Sequence, residues 1–420
     1  AGPGLVLEGS ELSAVWPGTR WGRHMSTTLD SDGFVGTYTS IAIGNDGLGL
    51  ISYADDSNGD LKVAHCDDIV CSSATTWTID SGVSVGDHTS ITIGADGLGL
   101  ISYYDAINAD LKVAHCNDLL CSTATTTTID SGTSVGTDTS VTIGRDGLGI
   151  ISYHDFANTA LKVAHCNDVL CSTATTSTID TTGNVGWYTS ITIGSDGLAL
   201  VSYNDVSNTS LKVAHCNDVA CTSATTTTVD NAASVGWFTS ITIGSDGLGL
   251  ISYFDSTNAD LKAAHCDDVA CSSATASAID TAGTVGWHTS ITVASDGLGV
   301  ISYYRFDTGN LKIARCRNVT CSQASSAGVD SAGEPMTIEV SDDAPLAVFA
   351  FKTREDAYGK MSYLRLFGGI LESDSRVWHV QEDTEVRVGT LNVMRGKEQT
   401  AVNRLHAGDI GMVVKLGDVN

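Results

Sequence analysis

Residues 186–235 read GWYTSITIGSDGLALVSYNDVSNTSLKVAHCNDVACTSATTTTVDNAASV. Within them, TSITIG and LALVSY are short runs rich in β-branched and apolar side chains, parted by Asp196 and Gly197. An Asp-Gly pair tolerates the positive φ of a tight turn, so the spacing predicts a hairpin. LKVAHC and TTTTVD supply a third and a fourth strand. No segment carries apolar residues at helical spacing between capping signals, which leaves an all-β unit.

The same fifty-residue pattern returns without insertion or deletion from Gly36 to about Ser331, in copies that start at 36, 86, 136, 186, 236 and 286. A unit of four antiparallel strands cannot bury both of its faces alone, whereas units packed radially around an axis can. The expected fold is a β-propeller of six four-stranded blades over residues 24–335, preceded by an extension over 1–23. A β-solenoid, the rival architecture, uses turns of roughly 20–30 residues, shorter than this period. Seven blades are the competing count. HMSTTLDSDGFV (24–35) aligns with ATTWTIDSGVSV (74–85) as a stray fourth strand, and residues 336–367 are candidates for the three strands that would accompany it.

All 12 cysteines fall in the six copies, as the pairs Cys66 and Cys71, Cys116 and Cys121, Cys166 and Cys171, Cys216 and Cys221, Cys266 and Cys271, and Cys316 and Cys321. Each pair lies where the third strand ends and the chain turns towards the fourth. A disulfide across so short a loop contributes roughly 2 kcal/mol in the chain-entropy treatment. Six local bridges fit an oxidising compartment, so the expected location is extracellular or on the cell surface, with the periplasm as an alternative and the cytoplasm only if the thiols are reduced. The competing reading is zinc or copper, because His65, His115, His165, His215 and His265 each precede a cysteine. Zinc sites gather ligand pairs in twos, however, and Arg315 takes the histidine's place in the sixth copy while both cysteines stay.

Packing demands are equal in near-identical units, so function is best sought where the copies differ. The pair after the leading glycine reads Thr37-Tyr38, Asp87-His88, Thr137-Asp138, Trp187-Tyr188, Trp237-Phe238 and Trp287-His288. The position after Ser-Tyr reads Ala54, Tyr104, His154, Asn204, Phe254 and Tyr304. Strand direction alternates, which puts both columns on one rim and the Asp-Gly turns and cysteine loops on the other. Aromatic side chains with interspersed Asp, His and Asn suit stacking on sugar faces or gripping a peptide. The candidate ligand-binding residues are therefore Tyr38, His88, Tyr104, His154, Trp187, Tyr188, Trp237, Phe238, Phe254, Trp287, His288 and Tyr304. The bland alternative is that the tryptophans only fill space between blades. Asp255, Asn258 and Asp260 in FDSTNADLK (254–262) are oxygen donors for calcium, with turn capping as the competing reading. No other cofactor is expected.

Beyond Ser331 the period fades, the cysteines stop and basic residues become denser. GKMSYLRLFGGIL (359–371), RGKEQ (395–399) and RLHAGDIG (404–411) resemble the second domain of elongation factor G. The resemblance covers about 80 residues from Val340 onward and implies a β-barrel module over 336–420. In that family the barrel packs on the GTPase domain and touches the ribosome, and it holds no catalytic residue of its own. These 420 residues contain no GxxxxGK[ST] loop, and AYGKM (357–361) lacks the spacing and hydroxyl that would hold phosphate and magnesium. They therefore lack the means to hydrolyse GTP.

Asp and Glu outnumber Lys and Arg by 49 to 22, so nucleic acid is not an expected partner of the repeats. No apolar run is long enough to span a bilayer, and the opening AGPGLVLEGS lacks the basic start of a secretory leader, which is expected to have been removed already or never to have existed. Titratable residues on the variable rim are few (His88, Asp138, His154, His288 and Arg305), no arginine cluster accompanies them, and neither G-x-S-x-G nor H-E-x-x-H occurs. The sequence thus reads as a non-catalytic binding or adhesion module for a glycan or protein. The alternatives are a self-assembling structural subunit and a ribosome-associated protein. If the cysteines pair as expected, the intact mass should fall about twelve hydrogens below the all-thiol value and rise on reduction; mass spectrometry that finds free thiols contradicts the pairing.

Overall fold

The computed structural model describes residues 4–8, 11–15, 28–232, 234–325, 347–356, 359–379, 384–395, 398–406 and 409–414. Among these, the only regular elements are strands. Two compact units emerge, Thr27–Gly333 and a second made of Ala1–Ser26 with Glu334–Asn420.

The first unit is a series of six four-stranded antiparallel sheets, the all-β blade architecture the period predicts. In the first blade the strands are Val35–Ile43, Gly49–Asp55, Asp60–Cys66 and Ala74–Ser81, hydrogen-bonded in chain order. Later blades repeat this order, with first strands at Val85–Ile93, Val135–Ile143, Val185–Ile193, Trp237–Ile243 and Val285–Val293. The Asp-Gly hairpin is wider than a two-residue turn: Gly44 N donates to Leu48 O, Gly47 sits at φ 80°, and Asp46 accepts from Leu48 N.

Both faces of each inner blade are covered by its neighbours, so the middle strands there are buried at nearly every residue rather than at alternate ones. Gly149–Asp155 is buried throughout. The first strand of each later blade is joined to the first and second strands of the blade before it by a recurring pair of bonds. Ile91 N donates to Ser40 Oγ at 3.1 Å and Thr89 Oγ1 to Ser52 Oγ at 2.9 Å, and the same two contacts link each later blade to the one before it.

Between neighbouring blades lies a buried polar triad that the sequence reading did not identify. Tyr203 from a second strand donates its hydroxyl to Asp180 on the preceding blade's fourth strand at 2.7 Å, and Lys212 from the third strand reaches the same carboxylate oxygen at 2.5 Å. Tyr103, Lys112 and Asp80 repeat it, and so do the remaining blades. The ammonium also lies 5.6 Å from the Tyr203 ring centroid, within range of a cation–π attraction.

The second unit contains a five-stranded antiparallel sheet in the order Ala347–Asp356, Gly359–Gly368, Ile410–Val414, Leu391–Arg395 and Glu398–Val402. Its core gathers Leu364, Leu366, Leu371, Leu391, Leu405 and Val413. Gly4–Glu8 pairs with Glu11–Val15 as a separate hairpin. The seventh-blade alternative for 336–367 does not hold over its described part, since Ala347–Asp356 and Gly359–Gly368 pair with each other and then with Ile410–Val414. A hairpin closed on its immediate neighbour has little loop entropy to overcome. Residues 336–346 of that alternative lie outside the described residues.

Lys212→Met would leave the Asp180 carboxylate buried without its cation. The expected destabilisation is ~3–5 kcal/mol, measured as a shift of the denaturant midpoint. A change below about 1 kcal/mol contradicts the structural weight given to the triad.

Candidate functional site: the aromatic rim

The two rims of the blades differ in chemistry. On one of them lie the Asp-Gly turns and the cysteine loops. Each cysteine pair is bridged, with Cα atoms 4.7–4.9 Å apart. The preceding histidine faces a carboxylate. His65 Nε2 lies 2.8 Å from Asp46 Oδ2, tying the third strand to the Asp-Gly turn, and the next four blades repeat the contact. In the sixth, Arg315 makes the same link to Asp296.

On the other rim, the start of each first strand is displaced by bulges. In the fourth blade the register shifts between Val185 and Trp187 and again between Trp187 and Ser190. Gly186 is required there: it has φ 90°, and a Cβ would fall 2.8 Å from the Leu161 Cα. Two residues on, the backbone is again left-handed, at Tyr38 (φ 52°), His88 (54°), Asp138 (51°), Tyr188 (54°), Phe238 (53°) and His288 (49°). Bulky side chains rarely adopt this conformation, which costs on the order of 1–2 kcal/mol each. A bulge re-aims the side chain it carries.

The result is an arc of six side chains running from the first blade to the sixth. Ring centroids lie 4.5 Å apart for Tyr38 and His88, 4.6 Å for Tyr188 and Phe238, and 4.2 Å for Phe238 and His288. His88 Nδ1 is 3.3 Å from Asp138 Oδ1. Burial, followed by the charges of Asp138 and Tyr38, pushes the Tyr188 phenol up to about 12.

A second row stands behind the arc. Trp187 packs on His154 of the preceding blade at 4.6 Å and on Phe156 at 5.8 Å, with its indole nitrogen donating to Asn184 at 2.7 Å. Trp237 donates to Ser234 at 3.1 Å. Trp287 stacks on Phe306 at 4.8 Å, and its Nε1 is buried with no hydrogen-bond partner among the described residues.

The column after Ser-Tyr needs correction. Tyr104 is half-buried and Tyr304 exposed, but His154 is 0% and Phe254 5% exposed, so neither is available on the surface. The cause is the two-sided cover of the second strand, which turns the column into a floor beneath the tryptophans. Burial holds the His154 imidazole down at about 4, so it is neutral at pH 7.

The calcium candidates are also placed otherwise than as a cage. Asp255 is buried and accepts from Thr257 N, Asn258 N and Asn258 Nδ2, the pattern of a side chain that caps its own loop. Among the described residues, no group of three or more His, Cys, Asp or Glu side chains is placed to hold a metal ion.

Phe156 and Phe306, both exposed, join the rim although the sequence reading passed over them. Their column varies as the others do (Asp56, Ala106, Phe156, Val206, Ser256 and Phe306), so the same criterion would have found them. The rim is also lopsided. The first two blades contribute Asp56 and Asp87, which line a hollow of about 340 Å³, whereas the last three contribute the tryptophans.

Residues 345–420 match the family described as elongation factor G domain 2. Hydrazine synthase of Kuenenia stuttgartiensis is a solved structure similar to this chain, at 13% identity and a TM-score of 0.47, over 71% of this chain and 80% of that one.

Two acid transitions follow. His154 is held below its ordinary 6.5, so its contribution to stability is present above 6.5 and is lost as pH falls towards about 4. Burial opposes ionisation of Asp180, but hydrogen bonds from Lys212, Thr182 and Tyr203 outweigh it and hold the carboxyl at about 2, so its contribution is lost between the ordinary 3.8 and about 2. Denaturant midpoints measured against pH should show both steps, and His154→Gln should flatten the first alone. A first step of the same size in that variant contradicts the assignment.

Proposed function

We propose that the protein is a non-catalytic binding module of an extracellular or cell-surface setting, which recognises a glycan or protein ligand on its aromatic rim. The observation that carries this reading is that, of the two non-glycine left-handed columns recurring in all six blades, the one on this rim changes its side chain from copy to copy whereas the other is always the second cysteine. Six bulky or charged side chains are held at a backbone angle that disfavours them, and all are drawn to one mouth. Strain of this kind concentrates where a site must be preorganised. The side chains held this way differ from copy to copy, while the blade scaffold beneath them does not.

Six bridges, with no free cysteine among the described residues, support an oxidising compartment. Stacked rings with carboxylates and imidazoles beside them suit a ligand with flat apolar faces and hydroxyl or amide edges, which both sugars and peptides supply. Glycan and peptide arrays probed with the intact protein test the reading. Tyr188→Ala and Phe238→Ala should each weaken a detected ligand roughly two- to tenfold, as expected for an aromatic contact of about 0.5–1.5 kcal/mol. Binding that survives both substitutions together would move the site elsewhere.

A further inference from the structure

The blades meet five times in the same way, and among the described residues the last blade and the first do not repeat that meeting. Every later blade bonds to its predecessor through an amide–serine and a threonine–serine contact, but among the described residues neither bond joins Ile41 to Ser290 or Thr39 to Ser302. These residues instead line one cleft of about 660 Å³, together with Ser40 and Ile51. The apolar faces on either side are bare. Ile41 is 61% exposed, against 6% for its counterpart Ile91 in the next blade. Leu311 is 73% exposed, against 0% for Leu261 one blade earlier.

A second observation says what fits there. Asp30 accepts from Tyr53 at 2.7 Å and from Lys62 at 2.5 Å, as Asp180 does from Tyr203 and Lys212. Asp180 belongs to a fourth strand of the preceding blade, so Asp30 holds the outermost position of a blade that stands before the first. That blade's three inner strands would cover the bare faces on both sides. In the first blade those strands occupy Val35–Cys66, 32 residues, whereas the stretch between Ser325 and Ala347 has only 21.

We propose that the gap between the last and first blades is a docking site for a three-stranded β-segment carrying the same repeat pattern, supplied by a second polypeptide. The segment completes a seventh blade. Towards the first blade, its serines accept from Ile41 N and Thr39 Oγ1. Towards the last, its own threonine and strand amide bond to Ser302 and Ser290, and its first strand covers Leu311. The five existing interfaces supply this chemistry without alteration, so no new type of contact is required.

The test uses the full chain and a synthetic oxidised peptide of residues 236–271, with a scrambled peptide as control. One-to-one saturable binding by calorimetry, accompanied by a rise in thermal midpoint, is the expected result. Ile41→Asp and Leu311→Asp, both at exposed positions, should weaken binding at least tenfold and leave the free protein's midpoint unchanged. Three results would overturn the proposal. One is no binding to a folded chain. Another is Ile41 amide exchange in the free protein as slow as that of Ile91, meaning that the ring closes on six blades. The third is concentration-dependent self-association that Ile41→Asp abolishes, meaning that a second copy covers the gap.

Discussion

At each boundary between blades one carboxylate oxygen receives both a tyrosine hydroxyl and a lysine ammonium, and the rest of the repeat region is arranged around that contact. Apolar faces alone would tolerate sliding by a residue or more, because leucine, valine and alanine tolerate alternative packings. A buried ion pair does not, since a shift that separates Lys212 from Asp180 strands two charges away from water. The donors and the acceptor come from different blades, so each triad fixes the register of one sheet against the next. The strand-level bonds between serines, threonines and amides then fall into place without further adjustment.

With every blade held in the same relation to its neighbour, the ends of the first strands recur at one height. The two rims can then specialise. One is closed by the disulfide and by the clamp of His65 on Asp46, both of which shorten the excursions available to the loops. The other carries left-handed residues such as Tyr188 and Phe238, displaced by bulges whose glycine has no room for a side chain. Both rims hold left-handed backbone at every repeat, at the second cysteine on the first and at residues such as Tyr188 on the second, above the stiff triad.

The repeat is nonetheless uneven. Polar side chains predominate over the first three blades and aromatic ones over the last three, so the mouth presents two chemistries side by side. The bare faces of the first and last blades break the regularity a second time, and they follow from the same rule that buries the faces between.

Local patterns along the chain were enough to read off the fifty-residue period, the four strands, the paired cysteines and the rim on which the variable residues lie. Each of these rests on local spacing, alternation of strand direction or turn chemistry, all of which act within a few residues. The sequence was silent on the partners of Lys212 and His65, which lie 32 and 19 residues away across a blade boundary or a hairpin. The lysine never varies, so the comparison between copies had nothing to contrast there, and the single change in the histidine column, Arg315, does not by itself point to a partner. The burial of His154 and Phe254 likewise follows from contacts that exist only in the folded molecule. A strand reveals in its own pattern which residues point to the same side, but whether one side or both are covered depends on how the blades stack.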